Sequence, residues 1–438
     1  MKSNFFQSAK LPLSFLALAV CGLAQPLPSR LATTILSDSY GPYTAQQYKS
    51  IKFADVTGDG FPDLCYLDAT GIHCAVFQPA TGTFGPAGLW TTAFTLTSAA
   101  SDSIWETIQY GDMDGDGKAD LCGRTSQGVV CYKSDGFQFV SFSSGVPLAN
   151  AFGNEQLFDT DPSYWRTIRL VDVNHDGKLD VCGRSLRGMT CQLFGADPMH
   201  PFIFSGFTTW SAQFSDANGW KVDPSNWSTI QFADVNGDGL PDVCARGTTG
   251  AFCLLNTGTL FGPARVSETV FSNANYWNQV QYYSTIHFGD LDGDGKADVC
   301  GRGVAGVYCG LTRNNGQGLA FVGTSTLAVN AFADAGGWNA PSRYLDFWLV
   351  DVNHDGKADI CGRGQTGIEC TVSRSTSTGL SFGGVQTIVD NFGDFYNWQL
   401  SPSNWATVQP VIKNASRSTR GTSFCGRGNS GIWCSDYN

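Results

Sequence analysis

The chain has 438 residues, 13% of them aromatic and 15% charged, with a formal net charge of −11. That length suffices for a large buried core or several domains. The acidic balance and the lack of a basic stripe exclude a nucleic-acid binder of the usual electrostatic kind.

The first residues read as a secretory signal: Lys2 and Lys10, an apolar run from Leu11 to Leu23, and a small-residue site with cleavage after Ala24. The run is too short to span a bilayer, and no other stretch is apolar enough to do so. The expected product is a secreted chain over residues 25–438 without a membrane span.

One loop then recurs. Its clearest copy is Asp234-Val-Asn-Gly-Asp-Gly-Leu-Pro-Asp242-Val-Cys244, and others start at Asp55, Asp112, Asp172, Asp290 and Asp351. Oxygen ligands at positions one, three, five and nine, with glycine at six for the turn, suit a hard cation such as calcium. The expected side-chain ligands are Asp55, Thr57, Asp59 and Asp63 in the first loop, and Asp112, Asp114, Asp116 and Asp120 in the second. Asp172, Asn174, Asp176 and Asp180 form the third set, and Asp234, Asn236, Asp238 and Asp242 the fourth. The fifth set is Asp290, Asp292, Asp294 and Asp298, and the sixth is Asp351, Asn353, Asp355 and Asp359. A worn seventh copy, Val411 to Ser423, lacks these acids. Up to six structural Ca2+ ions are expected, and they would offset most of the formal charge.

Cys21 leaves with the signal. The remaining cysteines pair at a constant spacing of nine: Cys65 and Cys74, Cys122 and Cys131, Cys182 and Cys191, Cys244 and Cys253, Cys300 and Cys309, Cys361 and Cys370, Cys425 and Cys434. An even number in a secreted chain argues for disulfides, and the spacing makes local pairing the economical choice.

The loops and cysteines repeat about every sixty residues, with units starting near 48, 105, 165, 227, 283, 344 and 405. In the fourth unit, Trp227 to Ala233 alternates as a first strand. Val243 to Ala245, Ala251 to Leu255, and Phe261 to Phe271 follow as the second, third and fourth. No segment has a helical period. Seven such units predict an all-β, seven-bladed propeller, with a solenoid as the lesser alternative. The last unit ends without a fourth strand, and residues 31–37 are the spare that completes it and closes the ring.

Strand parity puts the aspartate loops and the third-to-fourth turns on one face. The second-to-third turns and the interblade links share the other. Five links read Phe-x-Asp/Asn-x-x-x-Trp/Phe, and they gather Asp216, Trp220, Asn273, Trp277, Asp334, Trp338, Asp394 and Trp398. The arginines that follow the first cysteines, Arg184, Arg246, Arg302 and Arg363, reach the same face. An aromatic platform beside carboxylate and guanidinium suits a sugar. The bland alternative is that the tryptophans wedge the blades apart and the arginines pair with nearby acids. A second aromatic set (Trp105, Trp165, Trp227, Tyr283, Tyr344, Trp405) opens each first strand and is expected in interblade cores.

The repeats, with Phe84-Gly-Pro and Phe261-Gly-Pro, resemble the FG-GAP or VCBS repeats of integrin α-chain propellers. The links Asn391-Phe-Gly-Asp-Phe-Tyr-Asn-Trp398 and Asn330 to Trp338 resemble those of fungal lectins of the Psathyrella velutina type. That resemblance implies a seven-bladed propeller that binds carbohydrate, N-acetylglucosamine in that type, at sites between blades. A weaker resemblance, to fungal propeller cyclases of the hetero-Diels–Alderase kind, implies a non-redox enzyme with a small hydrophobic substrate. An integrin-like adhesion module is the third possibility. No Ser/His/Asp set accompanies Gly379-Leu-Ser-Phe-Gly383, which belongs to a repeat hairpin. Asn226 and Asn414 head N-glycosylation sequons.

Overall fold

Each aspartate loop reverses the chain between two strands, so every repeat folds back on itself as an antiparallel sheet. The computed structural model describes residues 28–40, 43–97, 101–143, 145–316, 318–412 and 422–435. The expected signal, residues 1–24, and the sequon at Asn414 lie outside them.

Among the described residues seven sheets of four or five strands form the blades in chain order, with a two-stranded sheet of Phe77–Gln78 and Thr83–Phe84 beside the first. The fourth blade is typical: Gln231–Ala233, Asp242–Gly247, Gly250–Asn256 and Phe261–Ser267, paired in sequence. The seventh takes Gln409–Ile412, Thr422–Gly428 and Gly431–Ser435 from the C-terminal end. Its fourth strand is Ser29–Thr33, antiparallel to Gly431–Ser435. The ring is therefore closed by the N-terminal segment, which starts two residues earlier than expected, and the solenoid alternative falls. Closure hides an edge that an open array would expose.

The cysteine pairs face each other across the second and third strands in all seven blades, as Cys244↔Cys253 does in the fourth. Every pair is bonded, with Cα atoms 4.1–4.2 Å apart. Seven apolar clusters fill the seven junctions between successive blades. Trp105, Trp165 and Trp227 belong to them, as expected of the second aromatic set.

One expectation needs correction. Trp227 does not open a strand; it ends a helical turn, Pro224–Trp227, and the strand begins at Gln231. Equivalent turns precede the other inner strands, for example Pro162–Trp165 and Pro402–Trp405. Proline at the first helical position and a side-chain cap from Asp161, Asp223 or Ser401 set them up. The turn buries Asn226, whose Oδ1 accepts from Arg246 Nη1 at 3.0 Å. The sequon asparagine Asn226 is thus buried and engaged in the folded chain.

The first strand of each blade lies nearest the ring axis, and in several blades its first residue reaches across to the next blade. Gln109 donates to Ile168 O (3.1 Å), Gln231 to Ile286 O (2.7 Å) and Gln409 to Ile51 O (3.1 Å).

Candidate functional site

The two faces carry different chemistry. On one, each loop is wound around its first aspartate: Asp234 Oδ1 accepts from Gly237 N at 2.7 Å and its Oδ2 from Gly239 N at 2.8 Å. The ninth-position aspartate is fully buried and ties the loop to the third strand; Asp242 accepts from Val235 N (2.9 Å) and Asn256 N (2.6 Å). Burial is the main force on these carboxyls, reinforced by the neighbouring aspartates. It raises Asp63, Asp120, Asp180 and Asp359 to about 7, Asp242 to about 6 and Asp298 to about 8, against backbone donors that pull the other way.

Such a set is strained by its own charge and fits a hard cation. Carboxylate oxygens of Asp112, Asp114 and Asp116 lie within 4.8 Å of one another, as do those of Asp290, Asp292 and Asp294. Asp292 Oδ1 and Asp351 Oδ1 are buried without a hydrogen-bond donor. In the two loops with three consecutive odd-position aspartates, a cationic side chain leans in: Lys133 against Asp114 and Asp116, Arg313 against Asp292 and Asp294. The loops also touch around the ring, Ala119 N donating to Asp55 O at 2.8 Å and Ala297 N to Asp234 O at 2.7 Å.

The other face joins the links to the second-to-third turns, as strand parity requires. Asp216 N donates to Leu186 O, Asn273 N to Thr248 O and Asp334 N to Val304 O. The predicted residues do come together here, but mostly beneath the surface. Arg184, Arg246, Arg302 and Arg363 have no exposed area. Each clamps the link of its own junction: Arg184 to Asp216, Arg246 to Asn273, Arg302 Nη1 to Asp334 Oδ1 (2.7 Å) and Arg363 Nη1 to Asp394 Oδ1 (2.8 Å). Where the partner is asparagine, burial pushes Arg124 and Arg246 down to about 10. The guanidiniums face inward because the link folds over them, so they position the link.

Trp220, Trp277, Trp338 and Trp398 are also buried, edge-on against Phe214, Phe271, Phe332 and Phe392. Trp277 and Trp398 nevertheless line open pockets, one at the junction of blades four and five (about 570 Å³) and one at that of blades six and seven (about 420 Å³). The second is walled by Trp398, Trp433 and Tyr396, and rimmed by Asp390, Asn391, Asn397, Asn404, Asn429 and Ser430. In the first, Tyr308 takes the place of Trp433, and the exposed Tyr276 stands where the other has Asn397. A smaller equivalent of about 150 Å³ lies between blades two and three, with Thr190 at the aromatic position.

Gly428 and Gly303 shape these floors. A Cβ on Gly428 would lie 3.2 Å from Trp433 Cδ1 and 3.3 Å from Trp398 Cζ2, and one on Gly303 3.0 Å from Tyr308 Cε2. The third-strand aromatics Trp433 and Tyr308 were not predicted. Their signal is the pairing of Cys-Gly-Arg-Gly with Gly-x-aromatic five residues after the second glycine of that motif: Gly428 with Trp433, Gly303 with Tyr308. The fourth blade carries Gly247 with Phe252, whereas the sixth pairs Gly364 with Glu369.

Fold and loops together define a seven-bladed β-propeller; the model of the FG-GAP-like repeat family matches residues 55–123 and 234–301. Among solved structures, the chain is similar to an Agrocybe aegerita lectin described as specifically recognising non-reducing terminal N-acetylglucosamine. The two share 23% identity and a TM-score of 0.71, over 87% of this chain and 89% of that one. The Tc holotoxin pore of Photorhabdus luminescens also matches, at 15% identity and a TM-score of 0.43, over 83% of this chain and 15% of that one. No curated protein matches the sequence. No helix among the described residues is long and apolar enough to cross a membrane.

Proposed function

We propose that the chain is a secreted, calcium-loaded, lectin-like protein that binds carbohydrate in pockets between blades on the link face. The observation that carries this reading is the pocket between blades six and seven. Trp398, Trp433 and Tyr396 offer aromatic surface for the apolar C–H face of a sugar ring, and the amides and hydroxyl around them suit its hydroxyls. The likeness in fold to a lectin of almost the same extent supports it.

In this reading Trp277 and Trp398 contribute to the pockets, and Asp216, Asn273, Asp334 and Asp394 fix the links. The buried arginines hold those links in place. The loops bind up to six calcium ions through the aspartates, Asn174, Asn236, Asn353 and Thr57. A bound cation supplies the positive charge that the clustered carboxylates lack, and the seven disulfides suit the oxidising environment of a secreted protein. Several similar pockets on one face would give avidity from weak single sites.

A glycan array probed with and without a calcium chelator tests the reading. Binding of N-acetylglucosamine-terminated glycans that is weakened in Trp433→Ala is expected. No binding to any glycan would overturn it.

A further inference from the structure

The third position of the aspartate loops follows a rule that cation binding alone does not explain. In loops three, four and six it is asparagine, and its amide donates to the fifth-position aspartate: Asn174 to Asp176 at 3.3 Å, Asn236 to Asp238 at 2.9 Å and Asn353 to Asp355 at 3.3 Å. In loop one it is Thr57, whose hydroxyl donates to Asp63 at 3.2 Å. Loops two and five carry Asp114 and Asp292 instead. An ionised carboxylate has no proton to give, so the position that supplies a donor elsewhere adds a negative charge here.

These two loops, and no others among the described residues, receive a cation from the third strand of their own blade. Lys133, on Val129–Ser134, pairs with Asp114 and, at 2.8 Å, with Asp116. Arg313, on Gly306–Asn314, pairs with Asp292 and, at 3.0 Å, with Asp294. The two cations stand two and four residues after the second cysteine of their blades, hence on the same face of the strand. In blades one, three, four and six, the residue two after that cysteine is Val76, Leu193, Leu255 or Val372, none of which carries charge. The Asp114 and Asp292 side chains are 5% and 0% exposed, so little water competes for them. The paired carboxylates are also the ones whose oxygens converge within 4.8 Å. A metal ion and the tethered cation therefore draw on the same charge.

We propose that Lys133 and Arg313 are built-in competitors of calcium at loops two and five, each holding its loop in the metal-free chain and withdrawing when the ion binds. This rests on the calcium reading of the loops. A contact made only in the metal-free fold stabilises that fold and weakens calcium binding by the same factor. Loops two and five then bind calcium less tightly than their four aspartates imply.

The test is calorimetric titration of the chelator-stripped full chain with calcium chloride, with melting temperatures read in chelator and in saturating calcium. The variants are Lys133→Met, Arg313→Met and a control, Arg374→Met. The exposed Arg374 stands in blade six where Arg313 stands in blade five, and it has no ion pair among the described residues. Four blades already carry an aliphatic residue in the place of Lys133, so Lys133→Met should fold. In each loop variant one calcium site should tighten about tenfold. Its melting temperature should fall in chelator and return to the wild-type value in saturating calcium, while Arg374→Met changes neither. An ion pair that only supports the fold would lower the melting temperature equally in both conditions. That result, or calcium affinity unchanged in both folded variants, would overturn the proposal and leave the calcium reading standing. No calcium binding by wild type or any variant would overturn both.

Discussion

Replacing Asp334 with alanine should destabilise the chain strongly. Its Oδ1 accepts from Arg302 Nη1 at 2.7 Å and its Oδ2 from the Tyr282 hydroxyl at 2.7 Å. Arg302 is fully buried, so alanine would leave a desolvated guanidinium with only carbonyl acceptors: Phe332 O at 3.1 Å, Gln281 O at 3.2 Å and Gly303 O at 3.4 Å. Breaking a buried pair from one side costs about 3–5 kcal/mol. The Asp334 side chain keeps 22% of its exposure, so water can re-enter, and we expect about 2–4 kcal/mol. Asparagine is the control. Blades two and four already set Asn154 and Asn273 against Arg124 and Arg246. Asp334→Asn should therefore cost only about 0.5–1.5 kcal/mol, the scale of one hydrogen bond. Guanidinium chloride unfolding with unchanged slope measures both. Alanine as stable as wild type, or asparagine as costly as alanine, would refute the clamp.

Other consequences follow from the ring and its loops. Deleting residues 25–37 removes the strand paired with Gly431–Ser435 and should lower the melting temperature by many degrees; an unchanged transition would contradict closure. Chelation should lower the calorimetric transition of the metal-loaded chain, because the ion binds the folded state only, and saturation at a hundred times Kd corresponds to about 2.7 kcal/mol. After chelation the pH dependence has a definite sign. The ninth-position carboxyls have folded pKa values near 6–8, above the unfolded value, so the fold binds more protons than the unfolded chain. Chelated protein should therefore lose stability from about pH 4 to pH 8; a denaturation midpoint that rises over that range would be contrary. Removing one cross-strand disulfide as Cys244→Ala/Cys253→Ala should cost about 2–3 kcal/mol in the same assay.

Much of this architecture is visible in the residues themselves. The aspartate loop and the cysteine nine residues after its neighbour mark the blades, because turn chemistry and cross-strand pairing are local. Strand parity then separates the faces, since each strand reverses direction. The helical turns at Trp165 and Trp227 escaped notice for a physical reason: four residues cannot show a helical period. Arg246 and Trp277 read from the sequence either as surface recognition groups or as link-holding and blade-wedging residues, and they are buried as the second reading has it. Their burial is a property of the link folding over them, which no short-range pattern reports. Trp433 and Tyr308 were hidden in the opposite way, as strand residues that resembled core and instead wall a pocket.

The interblade pockets are the centre of the account, and one titration addresses them directly. N-acetylglucosamine-terminated oligosaccharide is titrated into wild type and into Trp433→Ala/Tyr308→Ala, both loaded with calcium and checked for equal melting temperature. Saturable binding by wild type, weakened at least about tenfold in the double variant, is the predicted result; tenfold corresponds to about 1.4 kcal/mol. Equal affinity in the two proteins, or no binding by wild type, would contradict the account.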